Sequence, residues 1–549
     1  MNRKLEIANL IFPNIKGTIK NLEEKYPKRD LEAGAIVTRF APSPTGFLHT
    51  GSLFTSLVSW RFAKQTNGVF YIRLEDTDQK REIKGSGEKV LEQLSIFGVV
   101  PDESTIHGGN YGPYTQSQRK DIYHTVIKEM LLNDLAYPCF TTPEELSEIR
   151  EYQVANKLLP GYYKEFAKSR NLADEEVLER ISNGEEYVIR FKSNGDEVNR
   201  IDLQDEIRGH IQFPQNMIDV IIMKSDKLPT YHFAHVVDDH FMRTTHITRG
   251  EEWLSSYPIH LDMFNALGFE LPKYCHFPVI MKLDDGKRRK LSKRKDPEAS
   301  VDWFLDKGYP IKGFLEYLMT LANSNFEEWR IQNPQADIFG FSLTFAKMSI
   351  DGAMFDIEKI GSISKEVLAY LDTDTFSELC KEYAKAYNQA FLDTINSKGY
   401  DYFKSIIDIG RGGPKPRKDY EKFADVLPLI NFMYDDYYNE LSDTVEFKFD
   451  NDFVIEILEE NKANIGLELN QEEWFANLKQ MAVARKFAAR GKDFKKNPDL
   501  YVGTVGDYAE ILRLATCAKK NTPDFYLVLQ ILGEEKVIER IEQTIRSLK

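Results

Sequence analysis

The chain contains few cysteines and lacks any long run of apolar residues. Its four cysteines, Cys139, Cys275, Cys380 and Cys517, lie far apart in 549 residues, without the paired spacing of a metal site or the density of a disulfide framework. No stretch approaches the roughly 20 apolar residues that a membrane-spanning helix needs. The amino terminus has no signal-peptide core, and its acidic residues argue against a transit peptide. These absences predict buried thiols in a soluble cytoplasmic protein without a membrane segment.

Positive charge is in deficit, because 72 Lys and Arg residues face 86 Asp and Glu residues, giving a net charge of -14. This balance argues against a nucleic-acid partner, since phosphate binding depends on Lys and Arg. The basic residues are nevertheless clustered in segments 282–295, 411–418 and 485–496. An acidic body with separate basic strips suits a large, structured polyanion. Solvated charged loops are the alternative interpretation for each of the two later segments.

Length and periodicity predict several domains. A single hydrophobic core stops growing beyond roughly 250–300 residues, so a chain of 549 residues should divide. Residues 1–34 are charged, with scattered apolar positions, and we interpret them as an appended helix. Helical and strand-like patterns alternate up to about residue 300, after which helical periodicity dominates. Within the first part, residues 121–135 and 143–155 predict helices, and residues 186–191 and 219–223 predict strands.

The most informative stretch covers residues 36–52. Its first five residues are largely β-branched or aromatic and predict a buried strand, which Pro42-Ser43-Pro44-Thr45-Gly46 interrupts. Apolar residues recur at helical spacing from Gly51, and residues 69–74 predict a second strand. This order and length predict a right-handed crossover between parallel strands. Ligands of such units bind beyond the carboxyl ends of the strands, where the helix start offers N–H groups to an anion.

Two motifs resemble the signatures of class I aminoacyl-tRNA synthetases, in the form of the glutamyl and glutaminyl branch. Pro42-Ser43-Pro44-Thr45-Gly46 followed by His49-Thr50-Gly51-Ser52 resembles the HIGH signature, with Ser52 in place of the second histidine. Lys290-Leu291-Ser292-Lys293-Arg294 resembles the KMSKS signature, which lies on a loop closing over ATP. The second motif alone would fit a nucleic-acid patch equally well, but the pair in this order is specific. The resemblance implies that ATP is bound by His49, Gly51, Ser52, Lys290, Ser292 and Lys293, and that His49, Gly51, Lys290 and Lys293 are catalytic.

The same resemblance implies a glutamate site. Arg39 and Arg249 offer two guanidinium groups to the two carboxylates of glutamate, whereas the amide of glutamine would leave donors unpaired. We assign the side-chain carboxylate to Arg39 with Tyr231 and the α-carboxylate to Arg249. Either arginine considered alone would fit a structural ion pair. The implied glutamate-binding residues are Arg39, Ala41, Ser43, Glu75, Tyr231, His235 and Arg249.

The segments around Glu75 and His235 allow alternative interpretations. Glu75 is implied to face the α-ammonium group, whereas its neighbours Asp76 and Asp78 fit a solvated helix cap. Many relatives carry Asn at position 235, so His235 leaves the donor or acceptor role of that contact open. His232, His235 and His240, with two adjacent aspartates, could instead bind zinc. Some glutamyl enzymes hold zinc near Cys139, but we expect none here because that cysteine has no companion.

The resemblance implies a Rossmann-type parallel-sheet catalytic domain with an α/β insert, followed by all-helical carboxyl-terminal domains. The predicted regions are an extension at 1–34, the two catalytic halves at 35–115 and 231–295, an acceptor-stem-binding insert at 116–230, a helical stem-contact region at 296–370 and a helical anticodon-binding region at 371–549. The implied reaction attaches L-glutamate to tRNA(Glu) through a glutamyl adenylate, releasing AMP and pyrophosphate. ATP would bring Mg²⁺. We expect a monomer, and we leave tRNA(Gln) open as a second substrate.

Three rival functions make different predictions. A glutaminyl-tRNA synthetase would carry β-barrel anticodon domains rather than a helical carboxyl half. A glutamyl-queuosine enzyme would lack the anticodon half altogether. A non-catalytic tRNA-binding relative would have lost the ATP-binding lysines or the amino-acid-binding arginines, and this sequence retains both sets.

Overall fold

The computed structural model describes residues 3–44, 46–78, 83, 85–292 and 294–549. The chain divides into two compact units, Met1–Trp303 with Leu315–Asp356, and Phe304–Phe314 with Ile357–Lys549. Within the described ranges, none of the helices combines the length and apolar character needed to cross a bilayer.

The first unit begins with two short helices where a single appended helix was predicted. They are α1 (Arg3–Ile11) and α2 (Ile19–Lys25). Thr18 ends the connection between them, because its hydroxyl accepts a hydrogen bond from the Asn21 N–H and caps α2. Helix α1 buries Ile7 and Ala8 in the hydrophobic core of this unit.

The predicted strand, helix and strand follow directly. Strand β1 (Val37–Phe40), helix α3 (Thr50–Gln65) and strand β2 (Val69–Ile72) form the unit, and β1 pairs with β2 in parallel. Apolar residues of α3, such as Leu53, Leu57 and Val58, are buried, as the helical spacing predicts. Helix α4 (Ser86–Ile96) comes next in the chain. The parallel arrangement places the start of α3 at the carboxyl ends of β1 and β2.

The middle of the first unit contains two further sheets. The helices and strands of this part are α5 (Lys120–Leu132), β3 (Ala136–Cys139), α6 (Pro143–Ala155), α7 (Asp174–Ser182), β4 (Val188–Phe191), β5 (Arg200–Asp205), β6 (Gly209–Pro214), β7 (Ile221–Met223), α8 (Tyr231–Phe241), β8 (His246–Gly250), α9 (Tyr257–Leu267) and β9 (Lys273–Phe277). Strands β3, β4 and β7 form an antiparallel sheet. Strands β5, β6, β8 and β9 form a second sheet in the order β6-β5-β9-β8, in which β8 and β9 are parallel. The predicted boundary at 230/231 therefore separates strands that share one sheet, and the six-region division stays a prediction.

A basic hairpin follows β9. Strands β10 (Ile280–Asp284) and β11 (Lys287–Lys290) pair antiparallel, and β12 (Ala353–Met354) lies parallel to β10. The helices between β11 and β12 are α10 (Val301–Lys307), α11 (Ile311–Ala322) and α12 (Phe326–Gln332). The hairpin brings the predicted ATP-loop segment back toward the carboxyl end of β8.

The second unit is helical, as predicted, with one pair of two-residue strands. Its elements are α13 (Ile357–Ala369), α14 (Thr373–Tyr387), α15 (Gln389–Ser397), α16 (Tyr400–Asp408), α17 (Val426–Ile430), α18 (Asp435–Ser442), α19 (Asn451–Ala463), α20 (Gln471–Ala484), β13 (Phe487–Ala488), α21 (Gly491–Lys496), β14 (Gly503–Thr504), α22 (Val505–Cys517), α23 (Phe525–Leu532) and α24 (Glu534–Leu548). Buried aromatic residues, including Phe376, Phe403, Trp474 and Tyr508, fill its core.

Candidate active site

A cavity of about 580 Å³ opens at the carboxyl ends of β1 and β8 in the first unit. The predicted site residues that line it are Arg39, Ala41, Ser43, His49, Gly51, Ser52, Glu75, Tyr231, Arg249 and Lys290. His235 is fully buried and does not line the cavity. Lys293 lies outside the described residues, and Ser292 is adjacent to the lining residue Leu291. The structure therefore brings together residues from 39–43 and 49–52 with Glu75, Tyr231, Arg249 and Lys290.

The start of α3 presents His49 at one wall of the cavity. His49 is the N-cap of this 16-residue helix, and its Nδ1 accepts a hydrogen bond from the Gly51 N–H at 2.9 Å. Because Nδ1 is the acceptor, the proton of the neutral ring lies on Nε2. A Cβ on residue 51 would come within 3.2 Å of His49 Nδ1, so Gly51 gives the capping imidazole its space. An N–H donor beside a positive helix end suits a phosphate.

Arg39 reaches the cavity already paired with a carboxylate. Its guanidinium donates to both Asp239 oxygens, at 3.1 and 3.2 Å, and to the Thr248 carbonyl at 3.0 Å. The Arg39 and Asp239 side chains are almost completely buried. Although burial opposes ionisation, the two guanidinium groups of Arg39 and Arg73 hold the pKa of Asp239 well below its usual range. The charge of Arg39 is thus balanced within the protein.

The neighbouring aspartate of α8, Asp238, also forms an ion pair with an arginine. Asp238 accepts from Arg119 Nε at 2.6 Å, from Tyr123 Oη at 2.8 Å and from Gln116 at 2.9 Å. These buried ion pairs explain the aspartates that could have suggested zinc. Among the described residues, no three His, Cys, Asp or Glu side chains come close enough to share a metal ion. The Cys139 thiol accepts instead from Arg190 Nε at 3.2 Å.

Arg249 differs from Arg39 because its nearest partners are neutral. It lies on β8, is 6% exposed and lines the cavity. Its guanidinium donates to His276 Nε2 at 3.0 Å, contacts His260 Nδ1 at 3.3 Å and donates to the Trp253 carbonyl at 3.1 Å. Across the part of the chain that the structure describes, no carboxylate forms an ion pair with it. A buried cation without a counter-ion is a strong site for an anionic ligand.

Aromatic side chains form the wall beside Arg249. The Tyr231 ring, at the start of α8, packs on the Trp253 ring with centroids 4.4 Å apart. Burial raises the pKa of the Tyr231 hydroxyl, so it remains a hydrogen-bond donor at neutral pH. The His235 ring lies nearly parallel to Tyr231 at 5.8 Å, and its Nδ1 is 2.9 Å from Asp239. His235 thus supports residues of the cavity wall from behind.

The carboxylates after β2 have separate environments. Glu75 lines the cavity, accepts from Arg73 at 2.9 Å and has a raised pKa because it is buried. Asp76 accepts from the Ser117 N–H at 2.8 Å and from the Ser117 hydroxyl. Asp76 therefore caps the short 3₁₀ helix Gln116–Arg119, as the alternative predicted, but it is buried and not solvated. Glu75 and Asp78 both line the cavity, so both carboxylates are within reach of a positively charged ligand group.

Sequence reasoning missed the role of Asp296 in the ATP-loop segment. Asp296 accepts from Arg289 at 2.6 and 2.7 Å and from the Ser292 N–H at 2.8 Å. The hydrogen bonds from Arg289 hold the pKa of Asp296 well below its usual range. Lys290 at the end of β11 pairs with Glu252 at 3.0 Å. The signal available in the sequence was a carboxylate four residues after Ser292, a spacing that suits a turn.

Comparison with protein families agrees with this geometry. A model described as "tRNA synthetases class I (E and Q), catalytic domain" matches residues 35–359. A second model, "Anticodon binding domain", matches residues 500–545 in the second unit. The first match spans the whole cavity, and the second lies in the region for which the sequence predicts anticodon binding.

Full-length relatives give the same result. A glutamate–tRNA ligase of Clostridium perfringens is 47% identical over 546 residues, which cover 97% of this chain and 99% of that protein. A glutamate–tRNA ligase of Sorangium cellulosum is 36% identical over 573 residues, with 97% and 99% coverage. Among solved structures, a glutamate tRNA ligase from Elizabethkingia meningosepticum, crystallised with its amino acid, is 28% identical with a TM-score of 0.75 and covers 94% of this chain and 100% of that one.

Proposed function

The chain belongs to the class I tRNA synthetases of the E and Q group, and we propose that it attaches L-glutamate to tRNA(Glu) through a glutamyl adenylate. The observation that carries this proposal is the buried Arg249 guanidinium, which faces the cavity with neutral protein partners. A second arginine and the capped start of α3 lie in the same cavity. A dicarboxylate and ATP together fit this set of groups.

The reaction proceeds by two displacements. An oxygen of the glutamate α-carboxylate attacks the α-phosphorus of ATP, and the bond to pyrophosphate breaks. A hydroxyl of the terminal tRNA ribose then attacks the glutamyl carbonyl carbon, and AMP leaves. Neither step requires a covalent enzyme intermediate, so the side chains act by alignment and by stabilising phosphoryl charge.

The residues divide between the two substrates. His49, through its Nε2–H, and Gly51 and Ser52, at the start of α3, contact ATP. Lys290, Ser292 and Lys293 of the loop segment also contact ATP, and the lysines supply mobile positive charge for the phosphates. Mg²⁺ would be carried with ATP and would balance part of the phosphate charge. We do not include zinc.

Glutamate is held by the opposite wall. The side-chain carboxylate lies against Arg39 and Tyr231, and the α-carboxylate lies against Arg249. Glu75 accepts from the α-ammonium group, beside Ala41 and Ser43. His235 acts on the pocket from behind Tyr231, because its side chain has no exposed surface.

The tRNA contacts extend beyond the cavity. Region 116–230 binds the acceptor stem and region 371–549 the anticodon, and tRNA(Gln) is a candidate second substrate of a monomeric, cytoplasmic enzyme. Lys492, Lys495 and Lys496 are exposed on α21 and support the third basic segment as a phosphate-binding surface. Arg411 of the second segment fits neither a phosphate-binding strip nor the alternative of a solvated loop, because it donates to the Leu368 and Leu371 carbonyls at 2.7 and 3.0 Å.

Amino-acid-dependent exchange of pyrophosphate into ATP tests the activity. Purified protein should exchange with L-glutamate, measured with and without tRNA, and not with L-glutamine. Equal or faster exchange with glutamine would overturn the proposed substrate.

Two substitutions test the assigned roles. Arg249→Ala should lower kcat/KM for glutamate roughly 10- to 100-fold, the effect of losing a charge-assisted hydrogen bond. Lys293→Ala should lower charging by acting on the ATP step. Unchanged charging in either variant would show that the substituted residue is wrongly assigned.

A separate assay with purified tRNA(Glu) and purified tRNA(Gln), run in parallel, identifies which tRNA accepts glutamate.

A further inference from the structure

Four histidines surround Arg249, and the proposed reaction uses none of them directly. His260 and His276 contact the guanidinium, His232 contacts His260, and His235 packs on His260 with ring centroids 4.3 Å apart. His235, His260 and His276 are completely buried. A carboxylate at either contacting position would have neutralised Arg249, as Asp239 does for Arg39. The choice of imidazole therefore needs an explanation.

Hydrogen-bond geometry fixes the tautomer of His276. Arg249 has donors only, so the 3.0 Å contact from its Nε requires an acceptor lone pair on His276 Nε2. The proton of His276 then lies on Nδ1, which is 2.7 Å from Asp205 Oδ2. Asp205 is itself fixed, because its Oδ1 accepts from the Ile207 and Arg208 N–H groups at 2.9 Å. Asp205 thus keeps the acceptor nitrogen of His276 facing Arg249.

The same reasoning fixes His260 through a second histidine. Its Nδ1 accepts from Arg249 NH1, so the proton lies on Nε2. That nitrogen is 3.0 Å from His232 Nδ1, which must therefore be an acceptor. The chain Arg249, His260 and His232 is complete only when both rings are neutral. A protonated ring in either contacting position would replace an acceptor with a second donor and repel the guanidinium.

The environment of the rings keeps them neutral. Burial lowers the pKa of His276 despite Asp205, and burial lowers the pKa of His260 well below its usual range. Burial also lowers the pKa of His232 to about 4. The acceptors therefore persist through the physiological pH range, and the positive charge of Arg249 remains available to a ligand.

We propose that His276 and His260 are positioning residues for the amino-acid substrate, which orient the Arg249 guanidinium by accepting its hydrogen bonds without neutralising its charge. This inference rests on the proposed function, in that it takes Arg249 to bind a glutamate carboxylate. Asp205 and His232 act one step further out, by selecting the tautomers. Arg249 is held at Nε, NH1 and NH2 by three neutral acceptors, so its remaining N–H groups have a fixed direction.

Two substitutions of His276 distinguish its role as a hydrogen-bond acceptor from the volume of its side chain. His276→Gln places an amide oxygen where Nε2 was, whereas His276→Leu keeps volume and offers no acceptor. We expect His276→Leu to raise the KM for glutamate roughly tenfold or more, as for the loss of one charge-assisted hydrogen bond, with the KM for ATP unchanged. His276→Gln should restore most of the glutamate KM.

The second histidine provides an independent pair. His260→Asn retains an acceptor at the Nδ1 position, and His260→Leu removes it, so the same split in the glutamate KM is expected. This pair decides the question if His276→Leu does not fold. Melting temperature, measured for every variant, controls for general destabilisation, which would not change one KM alone.

Two results would overturn the inference. One is a glutamate KM within twofold of the parent in the folded leucine variants. The other is an equal rise in the glutamine or asparagine variant and its leucine partner, which would show that bulk matters and the acceptor does not. If Arg249→Ala also leaves the glutamate KM unchanged, the assignment of Arg249 fails with it; if Arg249→Ala is impaired, only the positioning role fails.

Discussion

His235 of α8 contacts residues that hold each of the two arginines of the cavity. Its Nδ1 is 2.9 Å from Asp239, the carboxylate that holds Arg39, and its ring packs on His260, which holds Arg249. Its Nε2 is buried without a hydrogen-bond partner among the described atoms. Burial, with Asp239 opposing it, lowers the pKa of His235 to about 3. The neutral ring is therefore the form that the fold selects.

His235 should make the protein sensitive to acid. Its reference pKa is 6.5, so between about pH 6.5 and 3 the unfolded chain binds a proton that the folded protein does not. Stability then falls as the pH falls, by as much as about 2 kcal/mol between pH 7 and 5 from this residue. His235→Asn should reduce the loss measured by urea denaturation at the two pH values. His210→Asn is the control, because His210 is exposed. If the free energy of unfolding falls between pH 7 and 5 by the same amount in His235→Asn, in His210→Asn and in the parent protein, this account is wrong.

At the scale of single residues, the sequence predicted residues that line both walls of the cavity, but it did not predict the groups that hold Arg249. His49, Gly51 and Lys290 belong to short signatures and line the cavity as expected. The histidines that hold Arg249 come from α9 and β9, and Asp205, which fixes His276, comes from β5. No periodicity or spacing links Asp205, His260 and His276 in the sequence. Only the pairing of parallel strands β8 and β9 places Arg249 opposite His276.

The loop segment after β11 is organised by a single carboxylate. Asp296 is 3% exposed and joins Arg289 of β11 to the backbone of Ser292. The segment that follows also contacts the start of α3, because Thr50 Oγ1 donates to the Glu298 carbonyl at 2.9 Å. The geometry of the wall to which we assign ATP therefore depends on how this loop is held.

Asp296→Ala should weaken the ATP step more than the glutamate step. Removing the carboxylate releases Arg289 and the Ser292 N–H together, so we expect the KM for ATP to rise roughly tenfold with little change for glutamate. Asp284→Ala is the matched control, because Asp284 binds Arg289 at 2.5 Å but does not contact Ser292. Equal effects of the two variants would mean that neutralising Arg289, and not holding Ser292, is what matters.

The individual helices and strands predicted from the sequence are present, and the differences lie at their ends. Residues 143–155 form α6 with the predicted bounds, because Thr142 and Glu145 make a capping box. Residues 524–548, which belong to the part of the sequence where helical periodicity dominates, form two helices, α23 and α24. Gly533 separates them with φ 82° and ψ 153°, a conformation essentially restricted to glycine. The glycine was visible in the sequence, but helical periodicity on both sides concealed the break.

Over the whole molecule, a net charge of -14 coexists with exposed basic residues on α21. Long-range repulsion of tRNA by the acidic body should make binding depend strongly on local Lys and Arg contacts and on ionic strength. The sequence predicted the helical character of this half, since helical periodicity is local. The sequence could not predict which basic residues stay exposed, because exposure depends on contacts with distant residues. Arg411, for example, donates to two backbone carbonyls about 40 residues earlier in the chain.

A double substitution on α21 tests the third basic segment. Lys495→Ala with Lys496→Ala should weaken tRNA binding and lower the slope of log K against log salt concentration by about 0.7–0.9 for each tRNA phosphate that is no longer neutralised. Lys415→Ala with Lys418→Ala, in the second segment, is the comparison. Filter binding across a salt series measures both slopes. An unchanged slope in the α21 variant would exclude these lysines from the tRNA surface.

The missing counter-ion of Arg249 also makes glutamate a folding ligand. A molecule that binds only the folded state stabilises it by RT ln(1 + [L]/Kd), about 2.7 kcal/mol at a hundredfold excess over Kd. Glutamate alone should therefore raise the melting temperature. Glutamine also carries the α-carboxylate that we assign to Arg249, but it has an amide in place of the carboxylate that we assign to Arg39 and Tyr231, so it should raise the melting temperature less. Equal shifts for the two amino acids in differential scanning fluorimetry would contradict this expectation. If glutamate does stabilise the folded state, the concentration of the substrate helps to set the rate at which the enzyme is lost through unfolding.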